Sequence, residues 1–185
     1  MDDTTGLEHK FARFSERLEV RDGCQISGYA SLFGDVDQGN DVVAPGAYAA
    51  SLSDLAANGG KVKMLWQHNP SEPIGIWDEV REDAKGLYVK GRLLDAVAKG
   101  REAKALIEAG AIDGLSIGYR TRKSTRNSEG QRLLKELELW EVSLVTFPML
   151  PNARITGKSD ETDADRSLRK MAAAFRGACA DLARR

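Results

Sequence analysis

Residues Ile74–Leu94 read IGIWDEVREDAKGLYVKGRLL. Apolar and polar residues alternate through Ile74–Arg81 and again through Leu87–Leu94. Between them Glu82-Asp83-Ala84-Lys85-Gly86 has the composition of a turn, so the stretch predicts a β-hairpin. The same alternation appears on both sides. Gln25–Phe33 follows the turn Arg21-Asp22-Gly23 and reads as a strand, as does Lys61–Gln67. Gly114–Thr121 and Leu133–Phe147 are strands around the polar turn Arg126–Gln131. Two helices interrupt this series. Pro45 opens the first, Gly46–Ala57, and Asn58-Gly59-Gly60 stops it. Asp95 is positioned to cap the second, with Val97, Ala98, Ala105, Leu106 and Ala109 on one face and Gly110 as its stop. The count of about six or seven strands and two helices predicts a mainly β, α+β fold: an antiparallel β-barrel or sandwich with helices on its flanks.

This strand-rich region, residues 22–156, is flanked by two different segments. In the lead, residues 1–21, Leu7, Phe11 and Phe14 sit at roughly helical spacing, which suits a docking helix or a first strand with its arm. In residues 157–185, Lys158–Asp165 has the polar composition of a linker. Ser167–Arg185 then predicts an amphipathic helix with Leu168, Met171, Ala172, Phe175, Cys179 and Leu182 as its stripe.

The chain has 185 residues, 27 Lys+Arg against 28 Asp+Glu, and is 42% hydrophobic and 30% charged. That length suits one domain with a tail. Balanced charge argues against a sequence-independent nucleic-acid binder. No apolar run is long enough for a membrane helix, and MDDTTGLEHK lacks the apolar core of a signal peptide. Cys24 and Cys179 make neither a disulfide framework nor a zinc spacing, so a reducing, intracellular setting is expected. No metal or nucleotide motif stands out, and no cofactor is expected.

The sharpest local motif is Gly114-Leu115-Ser116-Ile117-Gly118. It fits G-x-S-x-G, in which small neighbours leave room for a substrate carbonyl at the serine hydroxyl. The bland alternative is a strand serine with glycines at a crossing point. A serine nucleophile needs a base, and the chain has 2 histidines. His9 lies in the lead, and His68 lies in Trp66-Gln67-His68-Asn69-Pro70, after a strand. The α/β-hydrolase order places histidine last, and none follows Ser116, so that fold is excluded despite the match. A carboxylate would complete the set by orienting the imidazole. Glu141 sits amid apolar residues in Leu137–Val145, where a charge is costly unless paired. Alternation puts Leu139, Glu141, Ser143 and Val145 on one face of that strand and Trp140, Val142 and Leu144 on the other. Glu136, Glu138 and Asp78 read as solvated, and Ser143 is a rival nucleophile without flanking glycines. Trp66, Trp77 and Trp140 read as core aromatics.

Five blocks occur in order: GYASLFGDVDQGNDVVAPGAYAASL (28–52), MLWQHNPSEPIGIWDEV (64–80), GLYVKGRL (86–93), GLSIGYRT (114–121) and ELWEVSLVTFPMLPNARI (138–155). Together they resemble the prohead proteases of tailed bacteriophages, a family that looks related to the herpesvirus assemblin serine proteases. The resemblance implies a β-barrel ringed by helices. It also implies a serine endopeptidase packaged inside the procapsid in the host cytoplasm, which cleaves the scaffold or the scaffold segment of the major capsid protein, and itself. Carried over by motif, His68 is the general base and Ser116 the nucleophile. In the herpesvirus relatives the third member is a second histidine on the strand after the serine strand. Here that strand has no histidine and offers Glu141, with Glu138 as fallback. The oxyanion candidates are backbone amides near Ser116, and Arg154. The tail helix would then bind scaffold or capsid protein and be clipped in the linker; packing on the barrel or a homodimer contact are its alternatives. A catalytically inactive procapsid component and a small-substrate esterase or amidase are the competing functions.

Overall fold

The structure is a computed structural model and describes residues 7–11, 19–21, 25–37 and 39–146. The elements run β1 (Glu8–Phe11), β2 (Glu19–Arg21), β3 (Gln25–Leu32), β4 (Asp41–Val43), α1 (Ala49–Ala57), β5 (Lys63–Trp66), β6 (Asn69–Glu82), β7 (Gly86–Leu93), α2 (Ala98–Glu108), β8 (Gly114–Arg126) and β9 (Arg132–Val145). The six strands expected from alternation are β3 and β5 to β9. The expected hairpin pairs β6 with β7, from Gly75↔Leu93 to Glu82↔Leu87. Asp83 closes its turn by accepting hydrogen bonds from the Lys85 N–H at 2.8 Å and the Gly86 N–H at 3.2 Å. Burial pushes the Asp83 carboxyl up, but hydrogen bonds from Lys85, Tyr29, Arg81 and Gly86 outweigh it and hold its pKa down at about 2.

All the strands join one 9-stranded sheet, in the order β1-β8-β9-β5-β6-β7-β3-β2, with β4 beside β9. The expectation of an antiparallel barrel needs two corrections. First, the sheet is mixed, because β4 and β5 both run parallel to β9. β8 occupies one edge of β9 from Arg132 to Val145. β4 and β5 therefore share the opposite edge, one after the other, with α1 between them. A chain that leaves a sheet through a helix and returns to the same edge keeps its direction. Between β4 and β5 the edge is completed by the loop and helix: the Leu137 N–H donates to the Ala47 carbonyl and the Leu139 N–H to Ser51 Oγ, each at 2.9 Å. Second, among the described residues the hydrogen-bonded path ends at β1 and β2, so the sheet they form is a curled half-barrel rather than a closed ring.

The core fills the curl, with Ile26, Ile74, Leu115, Ile117, Val142 and Leu144 all fully buried. The Trp77 indole N–H donates to the Val142 carbonyl at 3.2 Å within it. β9 does not alternate evenly. Gly118 pairs with Glu141 but Tyr119 pairs with Leu139, so Trp140 is an extra residue on β9. This bulge returns Leu139 to the core face beside Val142 and Leu144. It corrects the even-alternation assignment and turns Trp140 outward, 43% exposed and under the Arg120 guanidinium, whereas Trp77 is core as expected.

The face expected for the second helix is also corrected. Gly100, Ala103 and Ile107 are buried, while Ala98, Ala105, Leu106 and Ala109 are exposed. A Cβ at Gly100 would stand 2.4 Å from the Leu94 carbonyl oxygen and 2.9 Å from that of Ile74. The helix therefore seats its glycine on the backbone at the root of the hairpin, a close approach that hydrophobic periodicity does not register. Val97, not Asp95, occupies the cap position. No helix among the described residues is long and apolar enough to cross a membrane. Cys24, Arg154, the linker and the tail helix, with Cys179, lie outside the described residues.

Candidate active site

β1, β8 and β9 lie side by side and stack residues in rows. Phe11, Ser116 and Ser143 form one row; His9, Gly118 and Glu141 form another two positions along. Ser116 and Ser143 are fully buried, and Glu141 is 3% exposed. A Cβ on Gly118 would lie 2.3 Å from Glu141 Oε1 and 2.9 Å from its Cγ and Cδ. The second glycine of the GLSIG motif thus makes room for the glutamate side chain. That is a different role from the substrate access argued from sequence.

His68 arrives from the other direction. β5 and β6 are joined by the two-residue turn Gln67-His68, with φ of 50° and 62°. Both residues are left-handed, as a type I′ hairpin turn requires, in a region that costs a residue with a Cβ about 1 kcal/mol or more. Tertiary bonds hold the turn. The Gln67 N–H donates to the Leu144 carbonyl at 3.0 Å, and Gln67 Nε2 donates to Thr146 Oγ1 at 2.6 Å. The His68 N–H donates to Ser143 Oγ at 3.2 Å.

So placed, His68 Nδ1 lies 2.5 Å from Glu141 Oε1. Ser143 Oγ donates to the other carboxylate oxygen, Oε2, at 2.5 Å. Glu141 therefore engages the imidazole with one oxygen and Ser143 with the other, which satisfies a buried carboxylate that would otherwise be costly. Ser143, the rival nucleophile, stands as a clamp joining Glu141 to the His68 backbone. Ser116 is its cross-strand neighbour, and facing Cβ atoms in such antiparallel pairs ordinarily lie about 4.5–5.5 Å apart.

Other candidates fall elsewhere. Glu138 forms an ion pair with Arg122, and Asp78 pairs with Arg92 at 2.7 Å on the exposed side of the hairpin. Glu138 lines a cavity of about 630 Å³ between α1 and the β8–β9 pair, along with Asp54, Lys61, Lys63, Arg122 and Trp140.

The residue that sequence reasoning left unplaced is His9. Gly118 has no side chain, so residues from the strands on either side meet above it. His9 Nδ1 is 3.8 Å from Glu141 Oε1, and its ring centroid is 4.0 Å from that of His68. β1 is anchored by Glu8, whose carboxylate accepts from the Thr121 N–H at 3.2 Å and from the Thr121 hydroxyl, and pairs with Arg132. Burial raises the Glu8 carboxyl, but these bonds outweigh it and lower its pKa. Arg132 also holds Asp41 at 2.6 Å, which raises the guanidinium further.

The described residues share their fold with the bacteriophage T4 capsid assembly protease, gp21. That structure matches with a TM-score of 0.58 at 16% identity, over 75% of this chain and 96% of the other. At the level of sequence, the chain belongs to the caudovirus prohead serine protease family, which it matches over residues 13–167. It is 36% identical over 134 residues to the prohead protease of Enterobacteria phage HK97, across 70% of this chain and 58% of that protein. It is 34% identical over 139 residues to the capsid polyprotein of Pseudomonas phage PAJU2, across 71% of this chain and 19% of that protein. The chain thus spans less than two thirds of the length of either relative.

Proposed function

We propose that the chain is a serine endopeptidase of capsid maturation, acting inside the procapsid on scaffold or capsid protein and on itself. One observation carries the reading: a buried glutamate grips the Nδ1 side of a histidine, one strand away from a buried serine. With Nδ1–H donated to Glu141, the lone pair of His68 is on Nε2. There it takes the Ser116 hydroxyl proton as Oγ attacks the scissile carbonyl. The same proton then passes to the leaving amine, and water repeats the sequence to release the acyl group. Glu141 fixes the tautomer and stabilises the imidazolium, and Ser143 fixes Glu141. β8 is paired on both edges at Ser116, which engages its amides in the ladders. We therefore take the Arg154 guanidinium as the oxyanion donor. Residues 22–156 form the protease domain in this reading, and the tail helix of 157–185 is the packaging element.

The assembly setting is supported by relatives named as a prohead protease and a capsid polyprotein. The mainly β sheet is consistent with kinship to the herpesvirus assemblins. The test is intact mass over time, for the chain alone and with its phage's capsid protein, beside Ser116→Ala. Discrete fragments from wild type and none from the variant support the reading. Equal cleavage by both removes Ser116 from its role. No cleavage by either, together with no fluorophosphonate adduct on Ser116, overturns the enzyme and favours an inactive procapsid component.

A further inference from the structure

We propose that His9, His68 and Glu141 form a binding site for a divalent transition metal of the zinc type, and that its occupancy switches the protease off. One ligand atom from each residue lies within 4.8 Å of the other two. Two imidazoles and one carboxylate are a donor set that zinc accepts, with water as a fourth ligand. Bonds of about 2.0–2.1 Å place neighbouring ligand atoms of a tetrahedral ion about 3.3 Å apart. The present separations from Glu141 Oε1 are 3.8 Å to His9 Nδ1 and 2.5 Å to His68 Nδ1. Each need change by less than about 1 Å to reach that spacing. The surroundings are also those of a metal site. Ser143 orients the carboxylate from behind, as outer-sphere partners do. The His9 side chain is 33% exposed and gives an ion a way in. Glu8 pins the strand that carries His9 through Thr121 and Arg132, which limits the ordering needed on binding.

The inhibitory half rests on the protease reading; the binding half does not. As a base, His68 needs a hydrogen on Nδ1 and a lone pair on Nε2. A metal at Nδ1 takes the lone pair there, so the hydrogen of the neutral ring moves to Nε2. A ring in that state cannot accept the Ser116 proton. No bond to carbon forms or breaks and no electron moves. The change is a tautomer shift with one coordinate bond per ligand.

The experiment titrates the full chain with Zn²⁺ alone by calorimetry, with Co²⁺ absorption as the spectroscopic probe, and follows fluorophosphonate labelling of Ser116 with and without Zn²⁺. Expected are one ion per chain, affinity reduced at least tenfold in His9→Gln and in His68→Gln, and binding retained in His9→Cys, which keeps a ligand. Labelling of wild type is expected to slow at least tenfold with Zn²⁺ and to recover with EDTA. Absence of stoichiometric binding, or equal affinity in wild type and both glutamine variants, overturns the site. Binding without any effect on labelling overturns the switch. If wild type never labels, the protease reading falls, and the calorimetry still decides the metal site.

Discussion

Gly118→Ala tests the candidate site without touching any of its polar atoms. The added Cβ would lie 2.3 Å from Glu141 Oε1, against 3.4 Å or more for ordinary contact. The carboxylate must therefore retreat by about 1 Å, because the backbone of β8 is fixed between two strands. Moving that oxygen by about 1 Å from its 2.5 Å contact with His68 disrupts the distance and alignment the hydrogen bond needs. A misplacement of about 1 Å in catalytic geometry costs on the order of 10²-fold in rate, or about 2.7 kcal/mol of transition-state stabilisation. Glu141→Gln, which supplies the wrong partner for the ring, sets the larger limit of about 10⁴-fold. The obstructing atom is the end of a side chain, so the fold should survive with a small change in Tm. The assay is the rate of fluorophosphonate addition to Ser116 by intact mass, with thermal melts alongside. Both substitutions act on one contact, so the double variant should label no more slowly than Glu141→Gln alone. Wild-type labelling by Gly118→Ala would refute the reasoning, because an activated Ser116 would then not depend on where the carboxylate sits.

Ser143→Ala removes the donor to Glu141 Oε2 and the acceptor of the His68 N–H. It should cost about 1–3 kcal/mol of stability in denaturant melts and slow labelling, with the adduct still mapping to Ser116; an adduct on Ser143 in wild type would reverse the two roles. Glu138→Gln removes an ion pair with Arg122, whereas His68 is held by Glu141, and labelling should stay within about threefold of wild type. Asp83 is held at about 2, against 3.8 for an unperturbed carboxyl. Its lowered value means that its contribution to stability is present above about 3.8 and is lost as pH falls toward 2. Asp83→Asn should therefore lower Tm at pH 7, with the gap to wild type closing below pH 4; a gap independent of pH would show that charge plays no part in the turn.

Long strands were legible because one buried face imposes alternation over many residues, as in Ile74–Arg81. β2 and β4 escaped, and β1 was foreseen only as one of two readings of the lead, because three or four residues carry no measurable period. The parallel seam of β5 on β9 is a long-range pairing with no local signature. A single inserted residue, Trp140, then exchanged the faces assigned to the start of β9. At the site, Glu141 could be found because a carboxylate in an apolar strand needs a partner. His9 could not, since only strand pairing brings β1 beside Gly118. Gly118 itself was noticed for its motif, while its function depends on a side chain from another strand.

The seam between β5 and β9 has a consequence for the timing of activity. His68 sits at the end of β5, and Glu141 and Ser143 sit near the end of β9, the last described strand. A chain emerging from the ribosome exposes His68 and Ser116 well before the partner that would arm them. Long-range pairing is slow to form, and here it is also the step that assembles the site. On the proposed reading, the site therefore stays incomplete in a nascent chain until β9 has been made and has paired with β5.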